Sequence, residues 1–123
     1  MKKLIILLLA AFLVTGLSAQ NSKRTSAFNY FKNGKLDKAK ENIDPCIEDA
    51  KTMSAAKTWY YRGNIYLQIA LDTNYQYLDP NALEVAWESY NKCLELDTRG
   101  EFSNDIRNNM QIIAYNFFNA GVL

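Results

Sequence analysis

Apolar residues return every three or four positions along most of this chain, and the alternation typical of strands is nowhere sustained. Because an α-helix turns once in about 3.6 residues, this spacing places the apolar side chains on one helix face. We therefore predict an all-α fold with five helices. They cover roughly residues 22–33, 37–51, 54–71, 80–97 and 103–123.

Turn residues and prolines mark the boundaries of these helices. Asn33-Gly34 separates the first helix from the second. Asp79-Pro80 should open the fourth helix, with Asp79 as the cap and Pro80 at the first helical position, where its missing N–H is harmless. Pro45 falls inside the second predicted helix, where it should kink or break the helix.

The first nineteen residues have a different pattern. Lys2 and Lys3 precede an apolar run over residues 4–14, and small residues lead to Ala19. A charged start, a short apolar centre and small residues before a cleavage site are typical of a secretory signal peptide. The run is shorter than the ~20 residues that span a bilayer, although an uncleaved anchor is the alternative. We expect residues 1–19 to be a signal peptide. Mass spectrometry of the mature protein should therefore find these residues absent.

The expected mature chain, residues 20–123, would be exported to the periplasm or cell envelope or secreted, with no membrane span. It carries 12 basic and 13 acidic residues, and it has no basic stripe of the kind that a nucleic-acid partner needs. The chain has no histidine, the commonest general base and metal ligand. We therefore predict a protein that is not an enzyme and uses no cofactor or metal.

Acidic residues on two helices are the remaining candidates for catalysis. Carboxylate catalysis needs one carboxyl group whose pKa is raised inside a cleft. The acidic residues here should instead lie on solvated faces beside lysines. They are Asp44, Glu48 and Asp49 in the second helix and Glu84 and Glu88 in the fourth.

An internal repeat organises the mature chain. Trp59 is followed by Gly63 and Tyr66 in the third helix, and Ala86 is followed by Tyr90 in the fourth. This spacing resembles the tetratricopeptide repeat (TPR), a helix-turn-helix unit of about 34 residues with the pattern W-x2-L-G-x2-Y and then A-x3-F. Looser matches occur at Ala27, Tyr30, Ala39 and Gly121.

The resemblance implies a TPR-like α-solenoid of antiparallel helix pairs. Its units would cover roughly 22–51 and 54–97, with a third beginning near 103–123, and the chain would be the N-terminal part of a longer repeat protein. Gly63 would then lie opposite Ala86, since a small pair lets two helices approach closely. A generic amphipathic bundle with an incidental glycine is the alternative. The connection at residues 71–78 is longer than the usual TPR turn.

The two cysteines, Cys46 and Cys93, raise the question of a disulfide. They would reach an oxidising compartment, but they take equivalent places in successive repeats. Stacked helices lie ~8–10 Å apart, whereas a disulfide needs Cα atoms within ~7 Å. We therefore predict two buried thiols that are not joined to each other.

Arg62 stands at a usually apolar place, so the aliphatic part of its side chain should pack while its guanidinium group reaches water.

The candidate binding surface is the other face of the third helix. In TPR proteins the first helices of successive units line a concave groove that holds a peptide or a partner helix. The resemblance thus implies binding by Lys57, Tyr60, Tyr61, Asn64 and Gln68. Tyrosine offers a rigid aromatic contact with a polar tip. The alternative is that Tyr60 and Tyr61 simply pack against neighbouring repeats.

Some TPR proteins grip a terminal carboxylate through basic and amide side chains. The corresponding places here are Arg24, Phe28, Tyr61, Tyr115 and Asn119. Only Arg24 suits an anion, so the resemblance predicts a different kind of ligand.

These observations favour an exported, non-catalytic scaffold that binds a protein or peptide partner. One alternative is a docking module of a larger envelope enzyme, and another is a substrate- or glycan-binding envelope protein. The last helix should expose Ile113, Phe117 and Phe118, so we also expect the chain to self-associate.

Overall fold

The structure is a computed structural model that describes residues 21–121. Its five α-helices confirm the all-α prediction, and no strand occurs within that range. They are α1 (21–32), α2 (Leu36–Ile43), α3 (Ala56–Leu71), α4 (Ala82–Leu96) and α5 (Ser103–Asn119).

The predicted signal peptide, residues 1–19, lies outside the described residues. No helix between residues 21 and 121 combines the length and the apolar character needed to cross a bilayer.

The second predicted helix is shorter than its sequence pattern suggested. α2 ends at Ile43, and a 3₁₀ turn with Pro45 in its first positions follows over Asp44–Ile47. The break at Pro45 is confirmed, whereas the continuation to residue 51 is wrong because turns fill residues 48–54. Proline cannot donate the next helical hydrogen bond, so the chain tightens and leaves the helix axis.

The start of α4 also differs from the prediction. α4 begins at Ala82, and Asn81 rather than Asp79 precedes it. Asp79 instead stabilises the turn before the helix, where its Oδ1 accepts a hydrogen bond of 2.8 Å from the Asn81 N–H. By contrast, the turn predicted at Gly34 is present, with a positive φ of 73° that glycine adopts without strain.

α3 is the central helix of the fold. Its most extensive partner is α4, and it also packs against α2, while α5 packs against α4. On its other side, Tyr61 of α3 stacks on Phe28 of α1, and Tyr60 donates a hydrogen bond to Asp105 of α5. α1, α3 and α5 therefore meet along one surface of the molecule.

The core is formed by side chains from all five helices. Burial of these apolar side chains provides the main driving force for folding. The members that are at most 2 % exposed are Ala27, Leu36, Ala39, Ile43, Cys46, Ile65, Tyr66, Ile69, Ala82, Ala86, Tyr90, Cys93, Ile106 and Ile113. Ala27, Ala39, Tyr66, Ala86 and Tyr90 are thus buried, whereas Tyr30 and Trp59 pack at the edge of the core and Gly121 is exposed.

Gly63 makes a close helix contact, and its nearest neighbour is the Tyr90 ring. A Cβ atom at this position would come closer than 3.0 Å to three atoms of the Tyr90 ring, and no Ala86 atom is among its three nearest neighbours. Glycine therefore makes room for a large ring, and the nearest atoms belong to Tyr90 rather than to the predicted partner Ala86. The buried side chain of Ala86 lies one helical turn before Tyr90.

The two cysteines are both buried, and no disulfide joins them, as predicted. The Cys46 thiol donates a hydrogen bond of 3.4 Å to the Asn42 carbonyl. Burial raises the pKa of both thiols, in the case of Cys93 to about 12. At neutral pH they are protonated and poorly nucleophilic.

Candidate functional site

Four aromatic rings cross the surface that α1, α3 and α5 share. Phe28 stacks on Tyr61 with ring centroids 4.9 Å apart, and Tyr60 stacks on Phe102 at 4.4 Å. Tyr60 and Tyr61 are themselves 6.3 Å apart, so the four rings form a continuous line, which we call the aromatic row. All four side chains are half-buried. Their packing on neighbouring helices leaves part of each one facing solvent.

The hydroxyl group of Tyr60 anchors the row to α5. It donates a hydrogen bond of 2.9 Å to Asp105 Oδ2. Burial raises the pKa of Tyr60 above its ordinary value. The phenol therefore stays protonated at neutral pH and keeps its role as a donor.

Two lysines lie over the row. Lys57 Nζ is 5.6 Å from the centre of the Tyr61 ring, and Lys32 Nζ is 4.9 Å from that of Phe28. Both distances fall within the range of cation–π attraction. The aromatic row therefore has a positively charged border.

A cavity of about 430 Å³ opens at one end of the row, between α1, the start of α3 and the loop before α5. Arg24, Lys57, Arg99 and Phe102 contribute to its wall. The carboxylate of Asp97 shapes this loop by accepting hydrogen bonds of 2.9 and 2.8 Å from the backbone N–H groups of Glu101 and Phe102.

The predicted binding residues divide into three groups. Lys57, Tyr60 and Tyr61 come together at the aromatic row. Gln68 is exposed farther along α3. Asn64 faces inward instead, because its Oδ1 accepts a hydrogen bond of 2.6 Å from the Tyr90 hydroxyl. Its side-chain oxygen is therefore committed to the fold.

The Tyr90 hydroxyl connects α3, α4 and α5. It donates to Asn64, and it accepts a hydrogen bond of 3.1 Å from the Asn109 amide. Burial raises the pKa of Tyr90 well above its ordinary range. These contacts hold the ring that fills the space beside Gly63.

The five residues that correspond to a carboxylate-binding TPR site have different surroundings in the structure. Arg24 Nη1 donates a hydrogen bond of 3.2 Å to Thr58 Oγ1. Phe28 and Tyr61 belong to the aromatic row. Tyr115 and Asn119 are exposed on α5.

A polar cluster around Asp44 was not predicted from the sequence. Asp44 accepts hydrogen bonds from Lys40 at 3.0 Å, from Arg62 at 3.3 Å and from the Tyr66 hydroxyl at 2.8 and 2.9 Å. Arg62 also donates to Ser89 of α4 at 3.2 Å. We call these five residues the Asp44 cluster.

The cluster corrects two expectations. Asp44 does not lie on a purely solvated face, and the head of Arg62 bonds to protein groups rather than reaching water. The side chains are only 31 % and 15 % exposed, respectively. Two sequence signals pointed here: an arginine at a usually apolar place, and an aspartate immediately before the proline that ends α2. Glu48, Glu84 and Glu88 are exposed as predicted, and Asp49 is half-buried.

We expect Asp44→Asn to lower the free energy of unfolding by about 1–3 kcal/mol, because Arg62 would lose its charged partner while remaining mostly buried. The partial exposure of Asp44 keeps the effect below that of a fully buried pair. Urea unfolding of both proteins would measure the change. Glu88→Gln, an exposed change on α4, serves as the control, and equal losses for the two variants would contradict a special role for Asp44.

Among residues 21–121, no group of three or more histidine, cysteine, aspartate or glutamate side chains is arranged to hold a metal ion. No protein-family model matches the chain, and neither a curated protein nor a solved structure was found to match it.

Proposed function

We propose that this chain is an exported helical-repeat protein of the TPR type that binds a protein or peptide partner and performs no catalysis itself. The partner would lie on the surface shared by α1, α3 and α5. The aromatic row is the observation that carries this proposal. The repeat pattern in the sequence and the sequential helix pairs are consistent with it.

The chemistry of the row suits protein recognition. Half-buried aromatic side chains give a large contact area at a low cost in conformational entropy, because their neighbours already hold them in place. Stacking fixes Tyr61 against Phe28 and Tyr60 against Phe102. Aromatic residues and arginine are also the residue types that most often dominate binding energy at protein interfaces.

Affinity capture from an envelope extract of the source cells, followed by titration of the purified partner, would test the proposal. We expect Tyr61→Ala to weaken binding about tenfold or more, since truncating a central interface residue typically costs over 1.4 kcal/mol. Lys57→Ala should weaken it less, because its charge lies at the border.

Lys92→Ala is the matched control for Lys57→Ala. Lys92 lies on α4, where it pairs with Glu95 at 3.3 Å, away from the aromatic row. Circular dichroism would verify that each variant keeps its helical content. Wild-type affinity in the folded Tyr61→Ala variant would refute binding at this surface.

A further inference from the structure

The exposed face of α5 carries three large apolar side chains that the proposed function does not use. Ile112, Tyr115 and Phe118 are 42 %, 66 % and 69 % exposed, and their spacing of three residues places them along one side of the helix. This differs from the predicted exposure of the last helix. Phe118 is exposed as expected, but Ile113 is fully buried and Phe117 is half-buried.

The face is also free of charge. From Asn108 to Asn119 the exposed side chains of α5 are either the three apolar ones or amides, and residues 108–123 contain no charged residue at all. Charged residues make up 22 % of the whole chain, so this stretch is unlike the rest of its surface. The exposed amides are those of Asn108, Gln111 and Asn119.

We propose that this face, the α5 face, pairs with the α5 face of a second copy of the chain in an antiparallel, two-fold symmetric contact. Such a contact needs a surface that complements itself. Amides meet this condition because each one both donates and accepts hydrogen bonds. Apolar residues meet it because they have no sign of charge to match.

Antiparallel pairing also supplies charge complementarity at the ends. With the two-fold axis between Gln111 and Tyr115, Arg107 of one copy lies beside the last turn of α5 in the other. That turn contains no basic residue, and the C-terminal end of a helix carries a partial negative charge. Arg107 is exposed and is the last charged residue before the uncharged stretch. Each end of the pair thus gains one favourable contact.

Sedimentation equilibrium across a wide concentration range tests this pairing. We expect a reversible monomer–dimer equilibrium in the wild-type protein. Tyr115→Asp together with Phe118→Asp should leave only monomer, because the pairing would place four carboxylates in the contact. The control is Met53→Asp, which alters an apolar side chain that is 41 % exposed in the turn before α3 and should leave the dimer intact.

A second pair of variants tests the antiparallel arrangement itself. Arg107→Glu should raise the dimer dissociation constant about three- to thirtyfold, since each of two helix ends loses a favourable charge. Lys51→Glu, a charge reversal of the same sign in an exposed turn, should have no such effect. A wild-type protein that remains monomeric up to millimolar concentration would overturn the proposal. A dimer that survives the double aspartate change would overturn it as well.

Discussion

Replacing Gly63 with alanine is expected to destabilise the protein by about 1–3 kcal/mol. In an exposed helix the same change would be favourable by up to about 1 kcal/mol, because alanine is the better helix former. Here the added methyl group would meet the Tyr90 ring at less than 3.0 Å. The ring is fully buried and hydrogen-bonded to Asn64 and Asn109, so it cannot easily move away. Gly63→Leu should be worse still.

The same substitution at an exposed site supplies the control. Gln68 lies farther along α3 with its side chain in solvent. Comparing Gln68→Gly with Gln68→Ala should show the alanine variant to be the more stable, by up to about 1 kcal/mol. At Gly63 the order should be reversed, so that the protein with glycine is more stable than the protein with alanine. Chemical unfolding gives both differences, and a Gly63→Ala variant at least as stable as wild type would show that the Tyr90 ring can yield.

Alkaline pH should progressively destabilise the folded protein. Burial, reinforced by the charge of Asp44, raises the pKa of Tyr66 from 10.0 to about 12, and burial raises that of Cys93 from 9.0 to about 12. The unfolded chain therefore releases these protons at a lower pH than the folded chain does. A rise in pH lowers the free energy of unfolding as a result. At about 1.4 kcal/mol per pKa unit, Tyr66 alone would remove about 2 kcal/mol by pH 12.

Urea unfolding at a series of pH values from 8 to about 11.5 would measure this loss. The free energy of unfolding should be level near neutral pH and should fall increasingly above pH 9. Tyr66→Phe should reduce the slope above pH 10, because its ring has no proton to release. Tyr77→Phe, which alters a largely exposed phenol, should leave that slope unchanged. Equal slopes in the two variants would contradict the assignment to Tyr66.

The periodic apolar pattern predicted the number and order of the helices because burial on one face requires that spacing. The repeat resemblance assigned Ala27, Ala39, Tyr66, Ala86 and Tyr90 to structural positions, and all five are buried. Local chemistry predicted the break at Pro45, since that break depends only on the missing N–H. These features depend on residues close together in sequence.

The features that the sequence did not indicate are mostly contacts between residues that are distant in sequence. Repeat spacing placed Gly63 opposite Ala86, but it did not indicate that the Tyr90 ring supplies the nearest atoms to Gly63. The Asp44 cluster joins residues 18 and 22 positions apart. The aromatic row required Phe28 and Phe102 as well as the two predicted tyrosines, and neither phenylalanine is adjacent to them in sequence.

The Asp44 cluster connects α2, α3 and α4, so we expect these helices to unfold together. Repeat arrays can lose their end units separately, since each unit contacts only its neighbours. Here the carboxylate at the end of α2 binds Arg62 of α3, which in turn reaches Ser89 of α4. Fraying of the end of α2 would therefore separate Asp44 from its charged partner Arg62. Hydrogen exchange would report this as protection of the α2 amides that approaches the level seen in α3.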